Sequence, residues 1–193
     1  MRAYGLTGGI GAGKSTVSRI LKLIGVPIYD ADTEAKRLTY SDPDILSGIA
    51  SIFGAESVKN GHFNRDFVAK EAFAFPQKLD ELNKIIHPVV AKDYQQWVTR
   101  QNVSYVIREA AILFETGGHK DLDGTILVSA PIAIRIQRVL KRDPHRDEKQ
   151  VEQIINRQWP EENKKELADF FIENGDDQLL LPQVLRLHDQ LLR

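Results

Sequence analysis

Along the chain, short apolar runs alternate with longer stretches in which apolar residues return every third or fourth position. The first pattern predicts buried strands and the second amphipathic helices. RAYGL near the start predicts a strand. In KSTVSRILKLIG, residues Val17, Ile20, Leu21 and Ile24 share a helical face, and Gly25 predicts the helix end. VPIYDAD predicts a second short strand, next to the first, closing on carboxylates. From Thr33 onward the pattern is mostly helical up to about Gln101, and DPDILSGIASIFG carries an Asp-Pro start and a Gly end. VSYVIREAAILFE and GTILVSA then predict buried strands, and PIAIRIQRVLKR a helix with Pro131 near its first turn. DPHRDEKQ is a turn-prone interruption, ADFFIENG predicts a last strand, and LLLPQVLRLHDQLL a closing helix. Strands alternating with helices predict an α/β fold with a parallel sheet covered on both faces. The helical stretch 33–102 reads as an insertion beside a core formed by 1–32 and 103–193.

Composition narrows the partners. With 193 residues, 42% hydrophobic and 27% charged, the chain is long enough for one large domain with an insertion. Twenty-six Lys and Arg against 27 Asp and Glu leave a formal charge of -1. No global field draws it to nucleic acid or membrane, no obligate protein partner is evident, and any anion site must be local. There are no cysteines, which excludes disulfides, thiolate metal sites and cysteine nucleophiles. The start MRAYGLTGG lacks the apolar core of a signal peptide, and the expected compartment is the cytoplasm.

Chemistry concentrates in GLTGGIGAGKST, Gly5 to Thr16. The stretch fits G-x-x-x-x-G-K-[ST] from Gly8 to Ser15, between a predicted strand and a predicted helix. The glycines, Gly9, Gly11 and Gly13 among them, let the backbone turn its N–H groups inward as an anion nest. Ala12 and Thr16 belong to the same loop, and the following helix aims its positive end at the nest. Lys14 supplies a charge for the β/γ-phosphates, and the Ser15 hydroxyl is placed to ligate Mg²⁺. This is a P-loop, which alone does not name a reaction. In YDADTEAKRL, Asp30 and Asp32 follow the second strand, where open α/β sheets bind ligands. There a carboxylate accepts the proton of an attacking hydroxyl, helps hold the metal, or simply caps the next helix. The base-reading Asn-Lys-x-Asp of a GTPase is missing: NKKE at Asn163–Glu166 ends in Glu within a charged helical stretch. Glu109 closes the third strand, either supporting the magnesium shell or standing as a charge at a strand end. The balance favours a kinase. Arg135, Arg138, Lys141, Arg142 and Arg146 line a helix end and loop, with Arg138 and Arg142 on one face. Such cations serve a lid over a transferring phosphoryl group, or a solvated basic face.

Over nearly its whole length the chain resembles the dephospho-CoA kinases. The resemblance rests on LTGGIGAGKST, IYDADTEAKRL, IIHPVV from Ile85, ILFETG from Ile112, RIQRVLKRD and ADFFIENG. It implies a P-loop NTPase three-layer sandwich with a helical substrate-binding insertion (33–102) and a lid at about 138–150. The implied reaction is ATP-dependent phosphorylation of the ribose 3′-hydroxyl of dephospho-CoA, with ATP and Mg²⁺. The alternative is another P-loop small-molecule or nucleoside kinase. By position, Asp32 becomes the base, His87 lies beside the acceptor pocket, and Lys14 and Arg142 join the catalytic set with Arg138 on the nucleotide. Taken alone, His87 among apolar neighbours reads as readily as a structural histidine, and Pro88 predicts a break in the helix beside it. The chain departs from the family's Pro-Leu-Leu-Phe-Glu by carrying Ala111 in place of the proline.

Overall fold

The computed structural model describes residues 1–193, the side chain of Pro76 excepted. The chain begins with strand β1 (Arg2–Thr7), helix α1 (Lys14–Leu23) and strand β2 (Ile28–Asp30). Then come α2 (Ala31–Ser41), α3 (Pro43–Phe53), the short strands β3 (Val58–Lys59) and β4 (His62–Phe63), α4 (Arg65–Ala74) and α5 (Pro76–Thr99). Strands β5 (Tyr105–Glu109) and β6 (Gly124–Ser129) follow, and α6 (Ile132–Arg142), α7 (Glu148–Arg157) and α8 (Glu161–Leu167) lead to β7 (Phe170–Glu173) and α9 (Leu180–Leu192). The chain divides into two compact units, Met1–Asp30 with Gln101–Arg193, and Ala31–Arg100.

The first unit is built on a five-stranded sheet in the order β2-β5-β1-β6-β7, parallel throughout. The expectation that β2 neighbours β1 is wrong, because β5 lies between them. Burial explains the order: Tyr105, Val106 and Ile107 of β5 are at most 2% exposed and need sheet and cover on both sides, whereas β2 is three residues long and suits an edge. One face packs Leu6, Tyr105, Ile107, Ile126, Val128 and Ile172 against Val17 and Leu21 of α1 and Val184, Leu187 and Leu191 of α9. On the other face Gly5 admits the side chains of Leu113 and Leu122, which a Cβ there would meet at 2.4 and 2.8 Å. The strands run parallel and end at one edge, so the loops after β1, β5, β6 and β7 gather there.

In the second unit α5 spans 24 residues without interruption, Pro88 included. The predicted break does not occur. Pro88 is exposed while Leu82, Val90 and Tyr94 are buried, so the lost N–H falls on the solvent side of a helix anchored along its other face. Strands β3 and β4 form an antiparallel hairpin within a segment whose pattern reads as helical. Its turn is Asn60-Gly61, both at positive φ (52° and 78°), the pairing a tight two-residue hairpin demands.

Candidate active site at the glycine loop

The loop after β1 closes onto α1 through Gly13, whose φ of 100° puts it in the left-handed region favouring glycine. Its carbonyl accepts from the N–H groups of Thr16 and Val17 at 3.0 and 3.2 Å, starting the helix. The first N–H groups of α1 therefore point toward the loop with the positive end of the helix dipole. Lys14 folds back so that Nζ donates to the Gly8 carbonyl at 2.8 Å, and Ser15 and Thr16 are exposed beside it.

Side chains from outside the loop hold its shape. Arg135 of α6 donates from Nε to the Ile10 carbonyl at 2.9 Å, and its guanidinium lies against Gly9, where a Cβ would meet Nη2 at 2.1 Å. Gln158, at the end of α7, accepts from the Ile10 N–H at 2.9 Å, and its Nε2 reaches the Ala111 carbonyl at 3.4 Å. Asn174, just past β7, donates from Nδ2 to the Ala12 carbonyl at 2.8 Å. Arg138 donates to the Asn174 carbonyl at 2.9 Å and lies 3.4 Å from Asp176 Oδ1, so this predicted residue does come to the loop's flank. Arg142, one turn on, is exposed at the end of α6.

Sequence reading assigned Gln158 and Asn174 no role and placed Arg135 only in a basic run. Burial distinguishes Arg135: it is 5% exposed, with Glu161 Oε2 at 3.8 Å from Nη1. Burial pulls its pKa down and Glu161 pulls the other way. Arg135, Arg138 and Arg142 share one face of α6, and that face turns inward at Arg135 and Val139, so the local pattern alone does not single Arg135 out.

Beside the loop, Lys164 is 2% exposed and pairs with Glu115 at 2.8 Å. Burial raises the Glu115 pKa, but the bond from Lys164, its own backbone and the Trp159 N–H at 3.0 Å outweigh this and leave it below the usual carboxylate range. With Ala111 in place of the family's proline, the loop after β5 is held by buried Leu113 and Phe114 and by the Gln158 bond. Gly9, Arg135, Trp159 and Lys164 face a cavity of about 680 Å³, within the range of small-molecule sites. At the sheet edge Asp30 and Glu109 are register partners on β2 and β5, and Ser18 of α1 donates to Glu109 Oε2 at 2.6 Å.

Asp32 and His87 belong to the second unit. Asp32 is exposed in the first turn of α2, inside the helix and not at the capping position before it. His87 lies on α5, one residue before Pro88, and is exposed.

The dephospho-CoA kinase (CoaE) family model matches residues 2–179. The chain belongs to the dephospho-CoA kinase family. A Bacteroides fragilis (strain YCH46) dephospho-CoA kinase is 38% identical over 184 residues, covering 95% of this chain and 89% of that relative. The Thermus thermophilus protein TT1252 has a crystal structure matching at TM-score 0.88 and 31% identity, covering 100% of this chain and 98% of that one. A Campylobacter jejuni dephospho-CoA kinase structure shares the fold at TM-score 0.71 and 22% identity, over 97% of this chain and 96% of that one. The activity is that of a dephospho-CoA kinase, an ATP-using phosphotransferase, and the alternative of a nucleoside or other metabolite kinase falls away. Among the described residues no helix is long and apolar enough to cross a membrane.

Proposed function

We propose that the loop Gly8–Thr16 cradles the donor phosphates, and that Asp32 activates the ribose 3′-hydroxyl of dephospho-CoA toward them. The observation that carries the donor half is the convergence of the α1 N-terminus, the left-handed Gly13 and Lys14 Nζ on one loop. Backbone N–H groups of Gly9, Gly11 and Gly13 supply fixed dipoles, Lys14 adds a full charge, and Ser15 and Thr16 present exposed hydroxyls. In the transfer the acceptor oxygen bonds to the γ-phosphorus, the bond from that phosphorus to the β,γ-bridging oxygen breaks, and ADP leaves. Asp32 takes the hydroxyl proton, and Arg138 and Arg142, on a lid at about 138–150, neutralise charge on the phosphoryl oxygens.

The donor set suits Mg²⁺, which takes one or two protein oxygens and fills its remaining positions with phosphate and water. Ser15 would hold it, with carboxylates at the sheet edge, Asp30 and Glu109, orienting its waters. Once bound, Mg²⁺ neutralises the phosphate oxygens and lowers the barrier to transfer. The helical unit, 33–102, carries the acceptor side, with His87 orienting the acceptor. The work of such an enzyme fits the cytoplasm.

An assay following ADP release with dephospho-CoA and ATP tests this reading. Asp32→Asn should lower turnover by about 10²–10⁴ while nucleotide binding persists. An Asn variant with normal turnover would remove Asp32 from the role of base.

A further inference from the structure

We infer that Arg135 and Gln158 are positioning residues for the glycine loop, and that through them α6 and the end of α7 fix the orientation of the Ile10 peptide groups. Ile10 stands between Gly9 and Gly11, and both of its backbone polar groups are taken by side chains from far along the chain. Its N–H goes to Gln158 Oε1 and its carbonyl receives Arg135 Nε, each at 2.9 Å. Within the loop, Ala12 N–H to the Gly9 carbonyl at 3.1 Å spans the same apex. A glycine-rich loop has little side-chain packing of its own and much freedom to lose. Its fixed shape has to be imposed from outside.

Arg135 is suited to that task and ill suited to others. It is 5% exposed, its Glu161 partner stands 3.8 Å away, and its Nε is spent on the loop. Burying a cation is costly unless its hydrogen bonds are made, so the Ile10 carbonyl is part of what keeps the guanidinium in place. Gln158 is anchored at both ends, by Ile10 and by the Ala111 carbonyl, so its oxygen keeps its aim. The same helix α6 carries Arg138 and Arg142. The helix that pins the apex of the loop therefore also presents these two cations, and the N–H groups are aimed before nucleotide arrives.

This inference rests on the loop being the donor cradle, which Lys14→Met tests separately. The experiment is steady-state kinetics with ATP and dephospho-CoA varied in turn, on Arg135→Met, Arg135→Lys, Gln158→Met and the Met double variant. The expected result is a fall of about tenfold to a hundredfold in kcat/KM for ATP in each Met variant, smaller than loss of a direct charge-stabilising donor. The KM for dephospho-CoA should stay within about twofold, a split that general loss of folding would not give. Arg135→Lys, whose ammonium can still reach the Ile10 carbonyl, should recover most of the loss. The double variant should lose less than the product of the singles, because both act on one peptide unit. Should Arg135→Met fail to fold, Gln158→Met, at a half-buried site, decides the question alone. Unchanged kcat/KM for ATP in Gln158→Met, equal losses toward both substrates, a Lys variant as poor as Met, or fully multiplicative losses would each overturn the inference. Wild-type-like variants alongside an impaired Lys14→Met would sink this inference and leave the donor cradle standing.

Discussion

Replacing Glu115 by Gln should destabilise the chain by about 3–5 kcal/mol, because it strands a buried ammonium. Lys164 is 2% exposed at its side chain, Glu115 is 13% exposed, and they meet at 2.8 Å. Gln retains an oxygen for the Trp159 N–H, which Glu115 holds at 3.0 Å, so the substitution isolates the charge. Against a typical domain stability of about 5–15 kcal/mol that loss is large. In a chain of this length each kcal/mol moves the melting temperature by about 2–4 °C, giving a drop of about 6–20 °C. Adding Lys164→Met removes the stranded cation and should restore part of the loss, because the amide that stays behind at position 115 is neutral and keeps its bond from the Trp159 N–H. The pH dependence has a definite sign. The folded-state pKa of Glu115 lies below its ordinary value of 4.5, so the stabilisation is complete above that value and fades as pH falls through the folded pKa. Thermal unfolding by circular dichroism should therefore show a gap between wild type and Glu115→Gln that is widest at about pH 7 and narrows in acid. A gap under about 2 °C at neutral pH, less than 1 kcal/mol, or one constant down to acid pH, would refute the reasoning.

Lys14→Met should weaken nucleotide binding and lower turnover by about 10²–10³, as loss of a preorganised cation at the transferring group predicts, with unfolding little changed; unaltered ATP kinetics would contradict the cradle. Gly9→Ala drives a Cβ to 2.1 Å from Arg135 Nη2, so it should impair ATP use in the wild type and add no further loss to Arg135→Met, as kinetics on the four variants would show. Gly11→Ala meets the Arg135 backbone carbonyl at 2.4 Å at a φ of 78°, and Arg135→Met should give it no relief.

Elements set by a local signal were legible in the sequence, and pairings set by distant partners were not. The apolar runs at Tyr105–Ile107 and Ile126–Val128 announced buried strands, and the spacing of Val17 and Leu21 announced a helix facing the sheet. Strand order was misread because sequence proximity favours β2 beside β1, whereas burial demand gives that place to β5. Pro88 misled for a related reason: a residue's local preference yields when the helix around it is fixed by packing at Leu82, Val90 and Tyr94. The hairpin at Asn60-Gly61 was readable from its turn dipeptide, but the apolar positions around it mimic a helical period. The motif from Gly8 to Thr16 stands in one stretch, so a single local pattern carries it, and the fold sets it between β1 and α1 as that pattern predicts. Gln158 and Asn174 reach the same loop from 148 and 162 residues away, as single polar side chains in segments that otherwise look solvated.

That separation changes what the glycines mean. Read as sequence, Gly8 to Gly13 is a glycine-rich run, broken by Ile10 and Ala12, that frees the backbone for an unusual path. In the fold, two different constraints operate within it. At Gly11 the backbone requires both a left-handed conformation and the absence of a Cβ, because α6 passes within 2.4 Å of where one would sit. At Gly9 the backbone demands neither; the missing Cβ makes room for the guanidinium of Arg135. A substitution at Gly9 is thus a statement about α6 as much as about the loop. The conformation of the motif then depends partly on side chains outside it, here the Arg135 and Gln158 that reach Ile10. Because α6 also carries Arg138 and Arg142, a change that loosens Arg135 is a change to the helix that presents all three cations.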